Sequence, residues 1–247
     1  MIVNAVKTGK ITAGAPPITS VLDRSLASFT DRSILVVTSK IISICEGRVV
    51  KIDTKDKEEL IEEESQRYIP SEKSKYNISL TIAHDILVPT AGIDESNGNG
   101  YYVLWPRDPY ASAKKIRDYL TNRFAVKDVG VLISDSHTTA LRWGTTGISL
   151  AHAGFDALKN YIDAPDIFGR PLHVTKANIA DGLAAAAVTV MGEGNEQTPL
   201  CVISDIPFVR FDQNAPTKED IKNLHIDPSD DLYLPLIESA AWKMGKG

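Results

Sequence analysis

The run Val131-Leu-Ile-Ser-Asp135-Ser136 is a short apolar segment that closes on a carboxylate and a hydroxyl. His137, Thr138 and Thr139 follow at once, with Arg142 a little further on. Strand ends in alpha/beta proteins are where ligand-contacting groups sit, held rigidly yet within reach of solvent. An aspartate next to a serine offers hard oxygen ligands for Mg2+ or Mn2+, and the Arg142 guanidinium suits a phosphate or a carboxylate. A second reading stays open on these residues alone: Asp135 caps the next segment and Arg142 is an ordinary surface charge.

Two other segments share the pattern of an acidic residue among small ones. Ala91-Gly-Ile-Asp94-Glu-Ser-Asn97-Gly-Asn-Gly100 places Asp94 and Asn97 in a loop whose glycines allow close approach of a ligand. Met191-Gly-Glu193-Gly-Asn-Glu-Gln-Thr198 sets a glycine-flanked glutamate just past an alanine-rich stretch. Each taken singly also reads as a turn or a helix stop. Together, three such carboxylates suggest a divalent metal site that holds phosphates, although spacing alone does not make them converge.

The elements that must position these groups alternate along the chain. Apolar runs at residues 34–38, 49–52, 129–134, 172–175 and 200–204 read as strands, several buried on both faces. Asp108-Pro109 starts a helix, and Ala113, Ile116, Leu120 and Phe124 continue it at helical spacing. Residues 178–190 form an alanine-rich helix stopped by Gly192. A charged surface helix is expected over 55–68, and a short last one over 235–243 that packs Leu236, Ile237 and Ala240. The fold class is therefore mixed α/β or α+β. Residues 70–76 and 213–218 are the two plausible hinges.

Composition narrows the partners. The 247 residues carry 27 basic and 32 acidic side chains, a net charge of -5, which argues against an obligatory nucleic-acid partner. An anionic ligand would then need local cations or metal ions. Cys45 and Cys201 show no paired spacing and read as free thiols of a reducing compartment. The N-terminus lacks the apolar core of a signal peptide, and the longest uncharged apolar stretch, 182–192, is too short for a bilayer. A soluble, cytoplasmic protein without a membrane partner is expected. No G-x-x-x-x-G-K-[ST] phosphate loop, G-x-G-x-x-G dinucleotide fingerprint or HExxH zinc signature occurs. His84, His152, His173 and His225 are scattered and read as structural or exposed; His137 differs by position only.

In their order along the chain, several of these segments resemble the γ-glutamyl ligases that lengthen the glutamate tail of the deazaflavin coenzyme F420. The resemblance runs through Ser39-Lys40, Cys45-Glu-Gly-Arg48, residues 91–97, Trp105-Pro-Arg-Asp-Pro109, Asp135-Ser136, Asp166-Ile-Phe-Gly-Arg170 and Met191-Gly-Glu-Gly194. It implies a family-specific α+β fold, neither Rossmann nor P-loop. It also implies one ligase unit over residues 1–247, or two interleaved subdomains without a linker, acting as a homodimer. Asp94 and Asp135 match ligands to one divalent ion, Mg2+ or Mn2+, and Ser136 with Glu193 match ligands to a second, with a monovalent cation as an optional third. Lys10, Ile11, Thr12, Ser39, Lys40, Asn97, Met191, Gly192, Glu193, Gly194, Asn195, Glu196, Gln197 and Thr198 match positions that contact the nucleotide, GTP or ATP in its place. Lys40 and Arg142 are the candidate catalytic cations.

The implied reaction joins L-glutamate to a tail carboxylate of a pterin- or deazaflavin-type acceptor. Phosphorylating that carboxylate makes it an acyl phosphate that the glutamate amine can attack. Alternatives within the same residues are a metal-dependent kinase or phosphohydrolase, and a non-catalytic nucleotide-binding protein. The chain departs from the deazaflavin pattern at Ser136, at His137-Thr138-Thr139 and at Ile44, where a lysine is usual. These departures resemble a bacterial branch associated with folate metabolism. They leave the metal ligands intact and put the acceptor, and with it the nucleotide base, in question.

Overall fold

A strand whose two faces are both apolar is stable only when both are covered, and that requirement organises this chain. The computed structural model describes residues 1–247 apart from Ala215. Its first part runs β1 (Ile2–Val6), α1 (Ile18–Ser25), β2 (Ser33–Thr38), α2 (Ser39–Cys45), β3 (Val49–Lys51) and α3 (Lys57–Glu64). There follow β4 (Arg67–Ile69), β5 (Leu80–Ala83), β6 (Ile86–Pro89), β7 (Tyr101–Val103) and α4 (Pro109–Phe124). The last part holds β8 (Val129–Thr138), β9 (Thr145–Ala153), β10 (Leu158–Asn160), β11 (Lys176–Asn178), α5 (Ile179–Met191), β12 (Leu200–Ser204), α6 (Lys218–Leu224), α7 (Leu234–Ser239) and β13 (Lys243–Met244).

The main sheet has the order β1-β12-β2-β8-β9, with β2 and β8 parallel and every other neighbour antiparallel. Alternation along its strands feeds two separate cores. Leu35, Val37, Val131, Ile133 and Leu200 belong to the larger core with α1, α2 and α4. Ile34, Val36, Leu132, Cys201 and Ile203 belong to the other, closed by Ala180, Leu183, Ala184, Ala187 and Met191 of α5. Alanine on that helix lets its backbone lie close to the sheet. A four-stranded sheet, β13-β4-β5-β6, and the pairs β3-β7 and β10-β11 complete the mixed α+β architecture.

The helix starts follow their caps. Asp108 Oδ1 accepts from the backbone of Ala111 at 2.9 Å ahead of Pro109, and Asn178 Oδ1 accepts from that of Asp181 at 3.0 Å. α5 ends one residue before Gly192, as its sequence predicts.

Four expectations need correction. Residues 172–175 are not a strand; the pairing segment is Lys176–Asn178, and Pro171, bridged to Pro165, precedes it. The helix expected over 55–68 stops at Glu64, because the chain returns at Arg67 to pair with Ile82; nor is it purely a surface helix, since Leu60 and Ile61 are buried. The last helix is Leu234–Ser239, and Leu236 is 69% exposed rather than packed. Most consequential, the strand that opens at Val129 does not end at Ser134 but continues to Thr138. Polar side chains at its far end masked a hairpin that projects beyond the apolar core. The expected hinge over 213–218 includes Ala215, outside the described residues, and Ser71–Lys73 of the other forms a 3-10 turn. Cys45 and Cys201 are free. Among the described residues, no helix is long and apolar enough to cross a membrane.

Candidate active site

The extension of β8 explains how one dipeptide can serve two places. Adjacent residues of a strand point to opposite faces, so Asp135 and Ser136 diverge. Asp135 turns toward the larger core, where Oδ2 accepts a hydrogen bond from the Trp105 indole N–H and Oδ1 accepts one from the Ser136 amide at 2.8 Å. Ser136 turns toward the end of α5, where its hydroxyl lies 2.8 and 3.0 Å from the two carboxylate oxygens of Glu193. A bulge between Ile133 and Ser134 in the pairing with β9 sits just before this dipeptide, a position where bulges re-aim side chains.

Asp94 joins Asp135 from the loop after β6. The Lys40 ammonium stands 2.5 Å from Asp94 Oδ2 and also donates to the Ser96 carbonyl and hydroxyl at 3.1 and 3.2 Å. Burial works to raise the Asp94 carboxyl, but the hydrogen bond and charge of Lys40, with the donors of Ser96, outweigh it and hold the group below its ordinary value. Asp135 goes the other way. Its burial, helped by the nearby charge of Asp94, lifts it to about 6 against the donors Trp105 and Ser136. Two carboxylates near enough to feel each other's charge, one of them reluctant to ionise, mark a place where a cation is electrostatically wanted.

Glu193 is presented by a loop folded on itself. Thr198 donates to the Met191 carbonyl at 2.5 Å, the Gly194 amide to Glu196 at 2.9 Å, and the Asn97 side chain to the Gly194 carbonyl at 3.1 Å. The Thr8 amide donates to the Gln197 carbonyl at 3.0 Å, which ties the loop to the N-terminal segment.

Lys40, both acidic pairs and the loop that carries Glu193 open onto one cavity of about 760 Å³. Lys10, Ile11, Thr12, Lys40, Asp94, Asn97, Asp135, Ser136 and the whole stretch 191–198 line it, together with His137, Thr138 and Thr145. The structure thus brings together nearly every residue singled out from the sequence. Two fall elsewhere. Ser39 is buried at the start of α2 and does not line the cavity. Arg142 lies in the exposed turn of the β8–β9 hairpin, between Leu141 and Trp143, both more than nine-tenths exposed, and off the cavity wall. Seven residues along a projecting hairpin carry the Arg142 side chain away from Asp135 at its base.

The three carboxylates do not form one cluster. Among the described residues, no group of three or more His, Cys, Asp or Glu side chains is placed to hold a single ion. They divide into Asp94 with Asp135 and Glu193 with Ser136. Both pairs consist of hard oxygen donors, which fits Mg2+ or Mn2+ far better than a soft metal. Trp105 was visible in the sequence only as the head of a Trp-Pro-Arg-Asp-Pro motif; nothing in its spacing tied it to Asp135.

The sequence profile described as F420-0:gamma-glutamyl ligase matches residues 5–205. The coenzyme F420:L-glutamate ligase of Methanocaldococcus jannaschii is 39% identical over 127 residues, 51% of each chain. That of Methanococcus maripaludis is 38% identical over 124 residues, 50% of each chain, and that of Methanothermobacter thermautotrophicus 33% over 145 residues, 58% of this chain and 57% of its own. The chain spans about half the length of the curated relatives it matches. With the family profile covering most of its length, the chain belongs to the F420-0:gamma-glutamyl ligase family.

Proposed function

We propose that this protein is a metal-dependent γ-glutamyl ligase driven by GTP or ATP. It joins the amine of L-glutamate to a tail carboxylate of a deazaflavin- or folate-type acceptor. The observation that carries the reading is the division of the acidic groups into two adjacent oxygen-donor pairs, Asp94 with Asp135 and Ser136 with Glu193, on one cavity. Two divalent ions held there by those pairs would supply the positive charge that offsets what builds up on a phosphate during transfer.

The chain's own residues supply the rest. Lys10, Ile11 and Thr12 and the loop 191–198 wall the nucleotide side, with backbone amides and a flexible glycine pair to approach phosphates. Lys40, poised on Asp94, is the cation placed to neutralise a transferred phosphate beside that pair. His137, Thr138 and Thr145 wall the cavity beside the metal pairs and are the surface against which an acceptor tail would lie. An acidic protein can in this way hold a triphosphate through ions rather than through a basic surface. The active species is a homodimer in the cytoplasm.

The test incubates the protein with Mn2+ or Mg2+, GTP or ATP, L-glutamate and either the deazaflavin or a folate acceptor, and follows the acceptor by mass spectrometry. One added glutamyl residue is expected, together with nucleotide hydrolysis that requires both acceptor and glutamate. Asp135→Asn is expected to abolish turnover while leaving the fold intact. Hydrolysis independent of glutamate would make the protein a phosphohydrolase instead.

A further inference from the structure

We propose that Trp105 is a positioning residue of the site: its indole N–H fixes the Asp135 carboxylate in the orientation that receives the divalent cation. The inference rests on the metal reading above and adds to it a residue that no metal-ligand pattern would select.

An indole N–H can donate but cannot accept, so the Trp105 nitrogen cannot itself ligate a divalent cation. What it does instead is occupy one lone pair of Asp135 Oδ2, while the Ser136 amide occupies one of Oδ1 at 2.8 Å. With a donor on each oxygen, rotation of the carboxylate about its last bond is blocked, and each oxygen keeps a free lone pair. Carboxylate ligands to metals are commonly held in this way, and loss of such a partner typically weakens metal binding 10–100-fold.

The residue is itself held at its ring and at its backbone. Trp105 is only 3% exposed. Its ring lies over Gly92, where an added Cβ would come within 2.6 Å of Cδ2 and closer still to the ring nitrogen, so a glycine is required beneath it. Gly92 also adopts φ +69, which side chains rarely take. The His84 ring packs at 5.7 Å between centroids. The Trp105 carbonyl accepts from Arg48 Nε at 3.1 Å, and that guanidinium is anchored to Glu64 at 2.5 Å. A large, expensive side chain with a glycine beneath it and an ion pair behind it ends in a single polar atom, and that atom meets Asp135. Packing alone would not require a nitrogen at that place.

The experiment measures Mn2+ binding by electron paramagnetic resonance on the full chain. It compares wild type, Trp105→Phe, Asp135→Asn, and a protein with 3-benzothienylalanine at 105, whose sulfur replaces the N–H with little change in shape. Both position-105 proteins are expected to bind Mn2+ 10–100-fold more weakly at one site, with kcat regained when Mn2+ saturates. Should Trp105→Phe fail to fold, the isostere carries the test. Wild-type affinity in the isostere would overturn the proposal, because the ring would then act through packing only. The metal reading fails separately: wild type would take up no Mn2+, or Asp135→Asn would bind it as wild type does.

Discussion

Gly147 pairs across the hairpin with Ser136 and lies directly under α5, so an added methyl there tests whether the helix position sets the site. A Cβ at 147 would stand 2.6 Å from the Ala184 carbonyl carbon and 2.8 Å from Val188 Cγ2, and closer still to the Ala184 oxygen. Ordinary contact begins at 3.4 Å, so the helix backbone must retreat by about 1 Å, since neither partner can swing aside. Overpacking of this kind costs about 1–3 kcal/mol, which for a chain of this size lowers Tm by about 2–12 °C. The same retreat draws Glu193, two residues past the helix, off the Ser136 hydroxyl it now meets at 2.8 Å. Gly147→Ala is therefore expected to melt earlier and to take up one Mn2+ where the parent takes two. Calorimetry and an electron paramagnetic resonance titration read the two effects. Gly182→Ala is the control on the same helix: nothing lies within 4 Å of its added Cβ, and it should gain about 0.5–1 kcal/mol. A Gly147→Ala protein with parental Tm and both ions bound would refute the coupling of helix to site.

Two further outcomes follow from charge. Lys40→Met removes the ammonium that now holds Asp94; at about 1 kcal/mol for a partly exposed pair, Mn2+ should bind up to about fivefold more tightly while turnover falls, and weaker Mn2+ binding would show that the lysine helps the ion rather than competing with it. His152 is buried against Tyr110 and Phe155 with Nδ1 unpartnered, and burial depresses it from 6.5 to about 4, against the opposing charge of Asp220 and with a small further push from His225. The unfolded chain then takes up this proton first, so stability falls as pH drops from 6.5 toward 4, by about 3 kcal/mol in all; urea midpoints should show that loss shrink in His152→Phe, and superposable pH profiles would refute it.

How far the sequence could be read depended on what kind of signal each residue gave. β2, β12 and the first half of β8 were legible because strands buried on both faces leave continuous apolar runs, and α4 and α5 because caps and 3.6-residue spacing reinforce each other. The small sheet β13-β4-β5-β6 was not, since its strands are two to four residues long and one of them, β4, follows a helix whose charged pattern continues past its end. Ordered motifs brought Asp94, Asp135, Ser136 and Glu193 to notice, but only the register of β8 with β9 shows why an Asp-Ser dipeptide divides between two pairs. Arg142 shows the opposite case: a residue near the site in sequence lies in the exposed turn of the hairpin, off the cavity wall.

The division between Asp135 and Ser136 also explains which substitutions the site can tolerate. A strand fixes the two directions, so position 136 presents a small hydroxyl to Glu193. Position 135 is held more tightly, because its carboxylate accepts from the Trp105 indole while it feels the charge of Asp94. Beyond Ser136 the same alternation continues. His137 and Thr138 line the cavity, and among the described residues their side chains make no hydrogen bond to Asp94, Asp135, Ser136 or Glu193; Thr145 pairs with Thr138 across the hairpin. Changes there alter the lining of the cavity without moving a ligand oxygen. In the proposed function the metal pairs and the acceptor wall are thus carried by successive residues of one strand, and a change in one need not alter the other.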